Sequence, residues 1–181
     1  MKRGRNGLLS YFAGNLSEVF KIRKRILGKV DLQKTVYFMT RLGAQIPFDF
    51  RWNILGPHSY DLAHHSDHLV VEGLFKYTGK YLLNEEMAKS HDTNLEPETR
   101  ERIESFFLKL EEICSTKGYD PVFFIECTAS LDFIQLNLPK KENRKKVTFN
   151  LLDALKPEKT ALFRTFREDA WTFLSNEGLI Q

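Results

Sequence analysis

Residues 31–62 change hydrophobic period twice in a short stretch, and that change restricts the fold more than any other feature of the chain. Leu32, Val36 and Met39 recur at helical spacing, with Tyr37 and Leu42 beside them. Asp31 suits an N-cap and Gly43 a stop, so the pattern predicts a helix over 32–43. Phe48, Phe50, Trp52 and Ile54 then alternate with Asp49, Arg51 and Asn53, the period of a half-buried strand. Gly56-Pro57-His58-Ser59 breaks the strand: Gly and Pro impose a turn, and Ser59 is placed to cap a helix over 60–74. Leu62, Leu69, Val70 and Leu74 form its inward side, and Tyr77-Thr78-Gly79-Lys80-Tyr81 reads as a hairpin tip.

On either side the patterns are helical. Leu16, Val19, Phe20 and Ile26 give a first helix over 15–27. After a loop at 84–97, Pro97 opens a helix to Ser115, with Ile103, Phe106, Phe107, Leu110 and Ile113 on one face. Asp120-Pro121 is a cap followed by a first-turn proline, opening a helix to about 136. The apolar run Val122–Ile125 also fits a short strand. Lys140–Lys146 reads as a basic loop, 148–155 as a short helix, and Pro157–Asn176 as the last helix, with Leu162, Phe166, Ala170 and Phe173 inward. The fold class expected is mainly α with a small β element: a winged-helix-like N-terminal half packed on a C-terminal helical bundle. Residues 1–30 form a basic helical extension and 31–181 a single globular domain.

Charge is unevenly placed. Residues 1–30 carry eight basic side chains and one acid, Glu18, whereas the remainder is net −4. Such an arm suits nucleic acid or an acidic protein surface. The candidate nucleic-acid contacts are Lys21, Arg23, Lys24, Arg25, Lys140, Lys141, Arg144, Lys145 and Lys146. Cys114 and Cys127 lie in apolar helical segments and read as buried free thiols. Residues 8–14 are too short and too polar downstream for a signal peptide, and no apolar run reaches the roughly 20 residues of a membrane span, so a cytoplasmic protein is expected.

The string Leu32-Gln33-Lys34, Tyr37-Phe38, then Phe50-Arg51-Trp52-Asn53-Ile54-Leu55-Gly56-Pro57-His58-Ser59-Tyr60-Asp61-Leu62 resembles the YwgA-like proteins and the related Panacea-type antitoxin domains. His58 stands where that pattern has Tyr. The resemblance implies a helical body with winged-helix-like features and a role in protein–protein recognition, in the Panacea case neutralising a toxin. On that basis Trp52, Gly56, Pro57, His58, Ser59 and Tyr60 form the candidate partner surface or its structural frame.

Three chemical constellations compete with this reading. Asp61, His64 and His68 fall at i, i+3 and i+7, so one helix face offers three zinc-type ligands. The run His64-His65-x-x-His68 lacks the glutamate of the zinc protease motif, and the bland alternative is a polar helix face. We expect no cofactor and no tightly held metal. His58 as a general base would need a nucleophile and an orienting carboxylate, and nothing in the sequence fixes either. Helix 60–74 contains Asp61, Asp67 and Glu72 but no Lys or Arg, which argues against its reading a major groove. The expectation is therefore a non-enzymatic protein-interaction module, antitoxin- or adaptor-like, with a protein partner and compatible with a homo-oligomer. The second reading is a winged-helix regulator that binds nucleic acid through backbone contacts, and the third a metal-dependent enzyme using His64 and His68.

Overall fold

A computed structural model describes residues 3–91, 95–139 and 143–180, with side chains from Phe12 onward. Across these residues the fold is mainly helical, with two small antiparallel sheets. Two compact units divide the chain. The first comprises residues 1–50 and 59–107, the second residues 51–58 and 108–181, and the division falls inside one continuous helix.

The first unit begins with α1 (Arg3–Arg23) and α2 (Lys29–Arg41). Leu16 and Val19 of α1 and Leu32, Val36 and Phe38 of α2 are buried. Helix α1 starts well before residue 15 and stops at Lys24, whose φ of 49° breaks the helical path. Ile26 therefore lies outside the helix and is 48% exposed, against the expectation of burial. Helix α2 begins before Asp31, with Gly28 at its cap position. Asp31 is instead an ion-pair partner, its carboxylate meeting Arg23 at 3.5 Å and Arg25 at 2.6 Å.

Helix α3 (Tyr60–Val71) follows in this unit, capped by Ser59, whose Oγ accepts from the Leu62 N–H at 3.2 Å. The hairpin expected around Gly79 is present as β3 (Phe75–Tyr77) and β4 (Tyr81–Leu83). Leu27 bridges Tyr81, adding a short third extended segment beside β4. Asn84 then caps a one-turn helix, α4 (Glu85–Ala88), within the stretch expected to be loop. Helix α5 (Pro97–Lys117) lends Ile103, Phe106 and Phe107 to this core, with Phe106 against Phe38 at 4.8 Å.

In the second unit, β1 (Arg51–Asn53) and β2 (Gly56–His58) form a hairpin. Gly-Pro-His is thus a strand, and the turn lies earlier, at Ile54-Leu55. Neither loop residue takes a positive φ, but Gly56 does, at 84°. A left-handed Gly just after a tight turn lets the strands re-pair. The predicted strand over 48–54 is shorter because 44–50 has no ladder partner: the N–H groups of Ile46 and Phe48 bond the carbonyls two residues back, although Ala44, Ile46 and Phe48 still alternate inward.

The second unit is built around α6 (Pro121–Leu136), which is contacted by β2, α7, α8 and α9. Asp120 caps α6 by accepting from the N–H groups of Val122 and Phe123, and Pro121 fits the first turn, so Val122–Ile125 is helix and not strand. Helix α7 (Arg144–Leu155) starts earlier than expected and takes in Arg144, Lys145 and Lys146, which are therefore not loop residues. The expected last helix is broken. A 3-10 turn (Pro157–Lys159) leads to α8 (Thr160–Arg164), then Thr165-Phe166 interrupts before α9 (Arg167–Asn176). Leu162 consequently faces outward, while Phe163 takes the buried place.

Candidate functional site

The β1–β2 hairpin is held by an ionic cluster that no sequence motif announces. Lys156 follows α7, and its side chain is fully buried. Its Nζ donates at 2.7 Å to the Ile54 carbonyl and at 2.7 Å to Glu126 on α6. Lys159 donates at 2.7 Å to both oxygens of the same carboxylate. The Trp52 and Phe163 rings lie 5.7 Å from the Lys156 ammonium, and Phe123 lies 5.6 Å from Lys159. Burial lowers the Lys156 pKa from its ordinary value even though Glu126 pulls it up. Burial also raises the Cys127 thiol, with the Glu126 charge adding to it, so that side chain is an inert core group.

What this arrangement presents is the hairpin tip. Ile54 is 66% exposed and Leu55 is 36% exposed, while the Ile54 carbonyl is tied to the interior. The motif residues behind the tip are support. Gly56 and Pro57 are buried, His58 is half-buried and pairs with Arg51, and Trp52 packs on Phe133 at 6.1 Å. In the first unit, Ser59 is buried and Tyr60 is 68% exposed. Gln33 clamps Ser59 there: its Nε2 donates to the Ser59 carbonyl, and its Oε1 accepts from the Ser59 N–H, each at 2.9 Å. The Leu32-Gln33-Lys34 part of the sequence motif therefore meets the start of α3 through one amide.

Among the candidate metal ligands, Asp61 and His64 are exposed, and His68 lies 3.9 Å from Glu72. His65 packs on Phe12 at 4.3 Å and bonds the Asp61 carbonyl at 2.7 Å. Among the described residues no group of three His, Cys, Asp or Glu side chains is gathered as a metal site.

Several candidate nucleic-acid contacts have structural duties. Arg23 is buried against Asp31 and the Phe107 ring. Arg144 donates to the Gln135 carbonyl, Lys145 pairs with Glu168 at 2.6 Å, and Lys146 is exposed. Lys140 and Lys141 lie outside the described residues. Lys21, Lys24 and Arg25 are brought together at one cleft in the first unit. No described helix is long and apolar enough to cross a membrane.

A lone acid in the apolar run Phe123-Phe124-Ile125-Glu126-Cys127 is a visible signal for a buried ion. Its partners are 30 and 33 positions away, and no spacing rule links them. Family models, curated proteins and solved structures were each compared with the chain, and none matches it.

Proposed function

We propose that this chain is a non-enzymatic protein-interaction module, antitoxin- or adaptor-like, that offers the β1–β2 hairpin tip to a partner protein. The single observation that carries the reading is the contrast at Ile54: an exposed apolar side chain on a backbone tied to a buried ion cluster. Buried ion clusters add little net stability, because desolvation offsets the Coulombic gain. Their clearer effect is to fix geometry. A pre-fixed apolar anchor loses less entropy on docking, which is where affinity is gained. The resemblance to YwgA-like and Panacea-type proteins points the same way.

The test is affinity capture from the native host at low and at moderate salt. One protein recovered in stoichiometric amount at both salts supports the reading. Nucleic acid recovered alone would reverse it.

One observation favours a second reading, a winged-helix nucleic-acid binder. The order α1, Leu27 bridge, α2, α3 and the β3–β4 hairpin is the order such a domain requires. Helix α3 carries no Lys or Arg, and Arg23 and Arg25 are engaged with Asp31, so the phosphate contacts would be few. With a mixed-sequence duplex, the favoured reading expects no salt-dependent shift; a steep salt slope supports the alternative.

A further inference from the structure

The cleft in the first unit has chemistry of its own, apart from the hairpin. It is an open groove of about 690 Å³ between the end of α1, residues 24–26, β4 and α4. Phe20, Ile26, Leu82, Leu83 and Ala88 supply an apolar floor. Lys21, Lys24, Arg25 and Lys89 line it as cations, against one acid, Glu85. That volume lies within the roughly 300–1,000 Å³ of small-molecule sites, which combine apolar walls with a few polar groups.

The cations are held in two different ways. Arg25 is anchored by the buried Asp31 carboxylate at 2.6 Å, and Lys21 lies 3.6 Å from the buried Glu18. The ammonium groups of Lys24 and Lys89 have no hydrogen-bond or ion-pair partner among the described residues. Lys24 also sits at φ 49°, in the left-handed region where a helix usually ends on Gly. Such backbone outliers concentrate at binding and switch sites. Ile26, which a helix continuing past Lys24 would have redirected, is left half-exposed on the cleft wall.

We infer that this cleft binds a small amphiphilic anion, a molecule with an apolar body and a carboxylate or phosphate head. The body lies on Phe20, Ile26, Leu82 and Leu83, and the head meets Lys24 and Lys89. A purely polar anion would leave the floor wet, and an uncharged amphiphile would leave the two ammonium groups unmatched.

The test is isothermal titration calorimetry on the full chain with decanoate and decyl phosphate, each below its micelle-forming concentration. Decyl maltoside serves as the uncharged counterpart. Both anions are expected to bind once per chain, and Lys24→Gln with Lys89→Gln to weaken them roughly tenfold, the scale of two exposed charge contacts. Ile26→Asp is expected to abolish binding. Should that variant misfold by circular dichroism, the exposed lysine substitutions carry the test alone. Ile54→Asp is expected to leave binding unchanged, which separates this site from the hairpin. The inference is overturned if neither anion binds, if the maltoside binds as tightly, or if the double lysine variant keeps full affinity. Tighter binding by an acidic leucine-containing peptide than by either anion also overturns it.

Discussion

Glu126 meets two ammonium groups at 2.7 Å in a setting with almost no solvent, and the cluster carries one more positive charge than negative. Removing Lys156 would leave Glu126 with only Lys159 and strip the Ile54 carbonyl of its donor. Lys159 still neutralises Glu126, so Lys156→Met costs chiefly the unmade Ile54 bond, about 2 kcal/mol, read as a lower midpoint in urea unfolding. Asp153 gives a second prediction. Burial alone would raise its pKa, but hydrogen bonds from Arg164 and Arg167 outweigh burial and hold it below the ordinary carboxylate value. A carboxylate with a depressed folded pKa contributes stability above its unfolded value and loses it as pH falls through the folded one. Asp153→Asn should accordingly flatten the fall of Tm with acid below about pH 4, the unfolded carboxylate value. An acid limb as steep as that of the wild type would remove this role.

The start of α3 is fixed by side chains that replace backbone partners. Gln33 satisfies both main-chain groups of Ser59, and the Ser59 hydroxyl satisfies an end group of α3. Gln33→Leu leaves the buried Ser59 N–H without an acceptor, while the Ser59 carbonyl keeps the Ala63 N–H, and should cost about 2 kcal/mol; Ser59→Ala, losing only the cap, about 1 kcal/mol. Equal losses in thermal unfolding would mean that the clamp adds nothing beyond the cap. The sequence is most readable at this scale. Amphipathic helices, the Asp120-Pro121 start and the Gly79 hairpin are local signals, and each is present. The departures are set by distant partners or by the backbone. Asp31 reads as a cap until Arg23 and Arg25 claim it, Lys24 ends α1 where no glycine warns of it, and Gly-Pro-His pairs as a strand because Trp52 offers the matching ladder position. The hairpin tip is half legible: the motif draws attention to Gly56–Tyr60, but the exposed pair sits just before it, at Ile54 and Leu55.

Across the molecule, the two units carry separate devices. The second fixes an exposed apolar tip with buried charge, and the first holds a cationic cleft over an apolar floor. Recognition of a partner protein through the tip requires that one exposed side chain matter to binding and not to folding. Ile54→Asp alters a side chain that is mostly in water, so the fold and its Tm should stay within experimental error of the wild type. The most direct measurement is the Kd of the captured partner for wild type and for Ile54→Asp. A loss of about thirtyfold is expected, the size of one anchor residue worth about 2 kcal/mol. Unchanged affinity in a variant that unfolds like the wild type would contradict it.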